Sequence, residues 1–192
     1  MASQRTLRGF LSFTMLAAVA ACSSLPSAPR DLLDEHTGAT VTVVGAPITF
    51  ARQPAGQAYQ DVLTLVAIQR DDDGKYTDLL LLYHWSAAFG PASSSPEQKV
   101  AEPQIEIDGQ SITLQPLPRL PADLPRPKDL FVPDTKETAM HAYVTDLATM
   151  KLIAASHELT VTLPQVPGSD PFKLWGDGRP ALAQFVKHLS GP

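Results

Sequence analysis

Cysteine is almost missing from this chain: among 192 residues there is one, Cys22. A lone thiol cannot form an internal disulfide, so apolar burial has to hold the fold together. Basic charge is also in deficit, with 15 Lys and Arg against 20 Asp and Glu and a formal net charge of −5. That balance argues against a nucleic-acid partner, whose phosphates call for clustered Lys and Arg. No apolar run reaches the roughly 20 residues that a bilayer-spanning helix requires. The apolar run over 9–21 falls short and is interrupted by Ser12 and Thr14. Catalytic motifs are lacking as well: there is no G-x-S-x-G elbow, no H-E-x-x-H and no glycine-rich phosphate loop. The histidines, His36, His84, His141, His157 and His188, are scattered along the chain. The sequence therefore gives no reason to expect a metal, a cofactor or a catalytic residue set. If a hydrolase were hidden here, His84 or His141 with a nearby Asp is where folding would have to build it.

What is present begins at the N-terminus. Arg5 and Arg8, the apolar run over 9–21 and small residues at its end form a secretory signal over 1–21. The run closes on Val19-Ala20-Ala21-Cys22, which resembles the lipobox of bacterial lipoproteins. The resemblance implies cleavage before Cys22, a diacylglycerol on its sulfur, an acyl chain such as palmitate on its amine, and so a lipid anchor in a membrane. Ser23 follows the cysteine. In the Gram-negative lipoproteins this resembles, an aspartate there retains the protein in the inner membrane and serine lets it pass on. The implied location is the inner leaflet of the outer membrane, facing the periplasm. The plainer alternative is an ordinary signal cut after Ala20, leaving Cys22 a free thiol.

Beyond Cys22, residues 22–38 read as a flexible tether, with Ser23, Ser24, Pro26, Ser27 and Pro29 favouring an open backbone and Leu32, Leu33 and His36 able to start a short amphipathic turn. One domain is expected over 39–192. Thr40 to Val44 and Ile48 to Phe50 suit an edge strand kinked at Gly45 to Pro47. The strongest signal is a hairpin, Val62 to Gln69 and Tyr76 to Trp85 joined through Asp73-Gly74, because Asp-Gly accepts the positive backbone angles of a tight turn. Leu79 to Tyr83 suggests a strand buried on both faces. Asp71, Asp72 and Asp73 are contiguous and lack the alternate spacing of a calcium loop, so a solvated turn is expected. A second hairpin turns at Asp108-Gly109 and is expected to pair with the first. Prolines 116, 118, 121, 125, 127 and 133 make 114–133 an extended connector that covers a sheet edge or docks on a partner. Later come a strand over Met140 to Val144, a helix capped by Thr145 or Asp146, a strand over Leu159 to Leu163, and a helix begun by Pro180.

The expected class is α+β: a mainly antiparallel sheet of about six to eight strands with two short helices in the last third. The alternative is a two-sheet sandwich with peripheral helices. Tyr83, Trp85 and Phe89 cluster at one strand end and Trp175 is placed in a loop, and amphipathic rings of this kind stack on sugars or anchor protein interfaces. Candidate contact residues are therefore Tyr83, Trp85, Trp175 and, in the proline-rich stretch, Arg119, with Cys22 as the lipidation site. The expected role is binding or assembly within an envelope complex. A glycan- or small-ligand-binding module and a cryptic envelope hydrolase are the alternatives. Core packing is the simpler reading of each aromatic.

Overall fold

The computed structural model describes residues 28–35, 37–53, 56, 59–88, 102–120, 124, 130, 139–164 and 170–191. The signal, the lipobox, His36 and Phe89 lie outside the described residues, as does much of 114–133. The centre of the fold is the first hairpin, longer than its apolar stretches alone indicate: β4 (Tyr59–Asp72) and β5 (Lys75–Ala88) run fourteen residues on each arm. Asp73 and Gly74 turn the chain with φ of 54° and 82°. Asp71 Oδ1 accepts the Gly74 amide at 2.7 Å, and Asp72 pairs with Arg70 at 3.0 Å. The aspartates thus build and solvate the turn. Leu79, Leu80, Leu81, Leu82 and Tyr83 are each at most 2 % exposed, so both faces of β5 are covered there.

β2 (Thr40–Val43) and β3 (Ile48–Arg52) lie end to end along one side of β4, with Val43 opposite Ile68 and Ile48 opposite Leu65. Neither is the expected edge. β3 also pairs with β11 (Phe172–Gly176), and β2 pairs with β1 (Arg30–Leu33). β1 falls inside the stretch expected to be tether. It forms because Leu32 meets Val41 and Asp31 accepts the Thr42 hydroxyl at 2.8 Å, so the sheet takes up the chain from Arg30.

The second hairpin, β6 (Gln104–Ile107) and β7 (Gln110–Thr113), turns at Asp108 and Gly109 with φ of 49° and 81°. It does not join the first hairpin. β6 pairs with β10 (Leu159–Thr162), and Asp108 ties the two together by accepting the amides of His157 at 2.9 Å and Glu158 at 2.7 Å. Past Leu114 the same segment becomes β8 (Gln115–Pro116), which pairs with β9 (Ala139–Val144). The strand order is β7-β6-β10-β11-β3-β4-β5-β9-β8, antiparallel throughout. Since β7 and β8 are consecutive on one stretch of chain, the sheet returns to itself as a near-closed nine-strand barrel. The expected mainly antiparallel sheet with two short helices late in the chain is therefore present, but it has eleven strands instead of six to eight and closes on itself instead of splitting into a two-sheet sandwich. Additional strands arise where the chain changes partner, at the bend between β2 and β3 and at Leu114, and where the tether residues join the sheet.

Both helices form where the periodicity puts them. α1 (Leu147–Ala155) is capped by Asp146, which accepts the Thr149 amide at 2.6 Å, and buries Met150 and Ile153. α2 (Arg179–Leu189) buries Ala181, Leu182, Phe185 and Val186, the three-and-four spacing of one apolar stripe. Leu182 lines a cavity of about 10 Å³ with Ile48, Leu65, Ala67 and Leu80, so α2 closes one end of the barrel. Close approach requires Gly178: a Cβ there would stand 2.2 Å from the Pro47 carbonyl oxygen. Leu114 and Leu130, from the proline-rich stretch, belong to the same apolar core.

Candidate functional site

At the barrel end away from α2, the inward row of the sheet turns from apolar to polar. Directly opposed residues of an antiparallel ladder share a face. Ile48, Phe50 and Arg52 therefore point inward together with Leu65, Leu63 and Asp61 on β4, and with Leu82, His84 and Ser86 on β5. The last members form a buried polar group. Asp61 is 1 % exposed, His84 6 % and Arg52 8 %. Arg52 donates to Asp61 Oδ2 from Nε at 3.3 Å and from Nη2 at 3.1 Å. Ser86 Oγ donates to Asp61 Oδ1 at 2.7 Å, and His84 Nε2 stands 3.8 Å from that same oxygen. Phe172 closes the group from β11, its ring 4.4 Å from the Arg52 guanidinium carbon and edge-on to His84 at 6.0 Å.

Burial opposes the Asp61 charge. The His84 imidazole, the Ser86 hydroxyl and the Arg52 guanidinium outweigh it and hold the carboxyl below its ordinary pKa. His141, opposite Leu82 on β9, shares the inward face with His84, and burial together with His84 keeps its pKa below the ordinary imidazole value. Tyr143, two residues on, is pushed up to about 12 by burial and by Glu102.

The order of these groups decides what they can do. In a serine triad the histidine stands between serine and carboxylate and takes the hydroxyl proton. Here the carboxylate stands in the middle, and Ser86 gives its proton in a hydrogen bond to Asp61 rather than to His84. A carboxylate held below its ordinary pKa is a poor base, so the arrangement orients Arg52 and does not activate Ser86. Among the described residues no three His, Cys, Asp or Glu side chains converge as a metal site.

Arg52 is also where the group reaches the surface. With Ala51, Gln53, Gln60, Asp170, Pro171 and Lys173 it lines a cleft of about 510 Å³. Its Nη1 donates to the Asp170 carbonyl at 3.4 Å, which fixes the guanidinium in the cleft floor. Two amide side chains and Lys173 then offer hydrogen-bonding groups around it.

No protein-family model, curated protein or solved structure matches this chain. The site therefore stands on its own geometry.

The candidate contact residues separate. Tyr83 is wholly buried and burial raises its phenol pKa, so it is a core residue and not a surface contact. Trp85 is half-buried and turns its Nε1 toward Thr64 Oγ1 at 3.4 Å. Trp175 lies in strand β11 and not in a loop, and it is 62 % exposed. β3 and β4 stand between β11 and β5, which keeps the two tryptophans roughly 14 Å apart on strand spacing alone. They form no paired aromatic platform. Arg119 is exposed and distant in sequence from the cleft. Cys22 lies outside the described residues. Arg52, Asp61 and Ser86 were not anticipated. The signal for them was available: a charged residue occupies an inward position of an otherwise apolar alternation in both β3 and β4.

Proposed function

We propose that this chain is a lipid-anchored envelope protein, held in the inner leaflet of the outer membrane through Cys22, whose periplasmic barrel binds or helps to assemble a partner protein. The lipobox resemblance and Ser23 support the anchor and its location. The cleft carries the binding role: a buried, carboxylate-fixed Arg52 backs a surface lined by Gln53, Gln60 and Lys173, and exposed Trp175 stands two residues from Lys173 on the same strand. A rigid aromatic beside hydrogen-bonding groups is the composition of an interface anchor. The tether holds the domain near any membrane-fixed partner, so weak contacts suffice. A glycan partner is the second reading, favoured by the exposed Trp175 ring beside two amides. The Asp-centred order of Ser86, Asp61 and His84 weighs against the hydrolase reading.

Photo-crosslinkers placed at Trp175 and Lys173 in cells, followed by membrane fractionation, test this. The expected result is a discrete protein adduct in the outer-membrane fraction from both positions. Recovery in the inner membrane would refute the location. A persistently uncrosslinked protein whose Trp175 fluorescence responds to envelope glycan fragments would replace the protein partner with a glycan.

A further inference from the structure

The barrel end opposite the Arg52 cleft presents a second cleft, of about 560 Å³, between the start of the described chain and the last turns of α2. It is lined by Ala28, Pro29, Gln184, Lys187, His188 and Gly191. Only Ser23, Ser24, Leu25, Pro26 and Ser27 separate Ala28 from Cys22. Fully extended, that stretch spans at most about 20 Å. Whatever course it takes, an acylated Cys22 keeps this end of the domain within that distance of its leaflet.

Among the described residues, no acidic side chain lines this cleft. Neither helix contains an Asp or Glu, while between them they carry Lys151, Arg179 and Lys187. Arg179 is engaged by Asp177 at 2.8 Å, whereas Lys187 and His188 are exposed beside Pro29, with Arg30 next in the chain. The acidic residues of this end of the sheet stand off the cleft, the nearest in sequence being Asp31. The turn of Asp71, Asp72 and Asp73 follows beyond Thr40, which lies opposite both Leu33 and Asp71. Asp31 receives the Thr42 hydroxyl, and Asp34 and Glu35 stand past the far end of β1, about 13 Å along the strand from Arg30.

We infer that the C-terminal end of α2, through Lys187, His188 and the cleft they share with Pro29, rests on the phosphate headgroups of the anchoring leaflet. This rests on the acylation of Cys22 proposed above. The five residues between Cys22 and Ala28 are too few to carry a distant face there, and Lys187 stands exposed beside the point where they join. Docked in this way, the domain turns the Arg52 cleft, beyond the far end of β3, away from the membrane.

The test uses the full acylated protein in vesicles of phosphatidylethanolamine and phosphatidylglycerol. Acylation consumes Cys22, so Gln184→Cys or Gln53→Cys supplies the single thiol for a fluorophore. Gln184 lines the α2 cleft and Gln53 the opposite one. Lipids with nitroxide headgroups should quench the probe at 184 and spare the probe at 53. Lys187→Glu, a surface change that leaves the core intact, should lower the ratio of docked to undocked domain at least about fivefold, the effect of one basic residue at an anionic surface. Equal quenching at both positions in protein that floats with the vesicles overturns the docking and leaves the anchor standing. Protein that labels at Cys22 and fails to float overturns both.

Discussion

Replacing Asp61 by Ala removes the acceptor of two Arg52 hydrogen bonds and one from Ser86 and leaves a guanidinium inside the barrel wall without its carboxylate. The side chains of the pair are 6 % and 2 % exposed. Breaking a buried pair from one side costs about 3–5 kcal/mol, because the surviving charge is stranded. The cleft beside Arg52 admits water to one side of it, which puts the expected loss near the lower figure, about 3 kcal/mol. For a domain of this size that corresponds to a fall in Tm on the order of 10 °C. Urea unfolding followed by tryptophan fluorescence measures it. The companion variant decides the cause: Arg52→Met combined with Asp61→Ala removes more groups than Asp61→Ala alone, yet should be the more stable of the two, since no charge remains buried. Acid should act in the same direction. The Asp61 pKa is lower folded than unfolded, so its contribution is complete above about pH 4, the ordinary carboxyl value, and is lost as pH falls through the folded value. A loss below about 1 kcal/mol for Asp61→Ala, the range of an exposed pair, or a double variant weaker than the single one, would refute the account of Arg52 as a buried, carboxylate-held cation.

Gly178→Ala should destabilise by about 1–3 kcal/mol, because the added methyl meets the rigid backbone at Pro47 and pushes α2 off the barrel end; thermal melts measure it. His141 has a folded pKa below its unfolded value, so the unfolded chain takes up the proton first. Stability should fall as pH drops below about 6.5, and His141→Gln should flatten that part of a Tm-against-pH profile. Trp175→Ala should leave Tm unchanged, since its ring is mostly in water, while abolishing the adduct formed from Lys173. Intact mass spectrometry should find a mature chain beginning at Cys22 with diacylglycerol and acyl mass added. A mature Cys22 species without that mass would end the lipoprotein reading.

Local chemistry in the sequence reaches a good part of this fold, and it fails where partner choice is non-local. Asp73-Gly74 and Asp108-Gly109 locate both tight turns because their backbone angles demand those residue types. Asp146 and the stripe Leu182, Phe185, Val186 locate the helices. Alternation alone cannot say that Ile105 will meet Val161 and not the first hairpin, nor that a strand will change partner at Leu114. A short strand like β1 has too few apolar residues to stand out from a tether, and its place in the sheet comes from its pairing with β2. The site was hidden for a related reason. Arg52 and Asp61 look like surface charges until the register between β3 and β4 sets them side by side on the inward face.

Arg52 and the Asp170 carbonyl that steadies it are 118 residues apart in sequence. The whole N-terminal half of the barrel shares that delay. β1, β2, β4 and β5 can assemble by hairpin-range contacts, but β3 keeps one side open until β11 arrives, and Phe172 is the last wall of the Arg52 chamber. Distant pairings of this kind form slowly, and an open strand side is a template for the wrong neighbour. During synthesis the chain therefore carries an adhesive border for most of its length, and a ribosome stalled before Phe172 would release a product that seeks another strand to finish its wall. The open side of β3 is covered only when β11 pairs with it, which makes the arrival of Phe172 the step at which a nascent chain stops offering that edge to its neighbours.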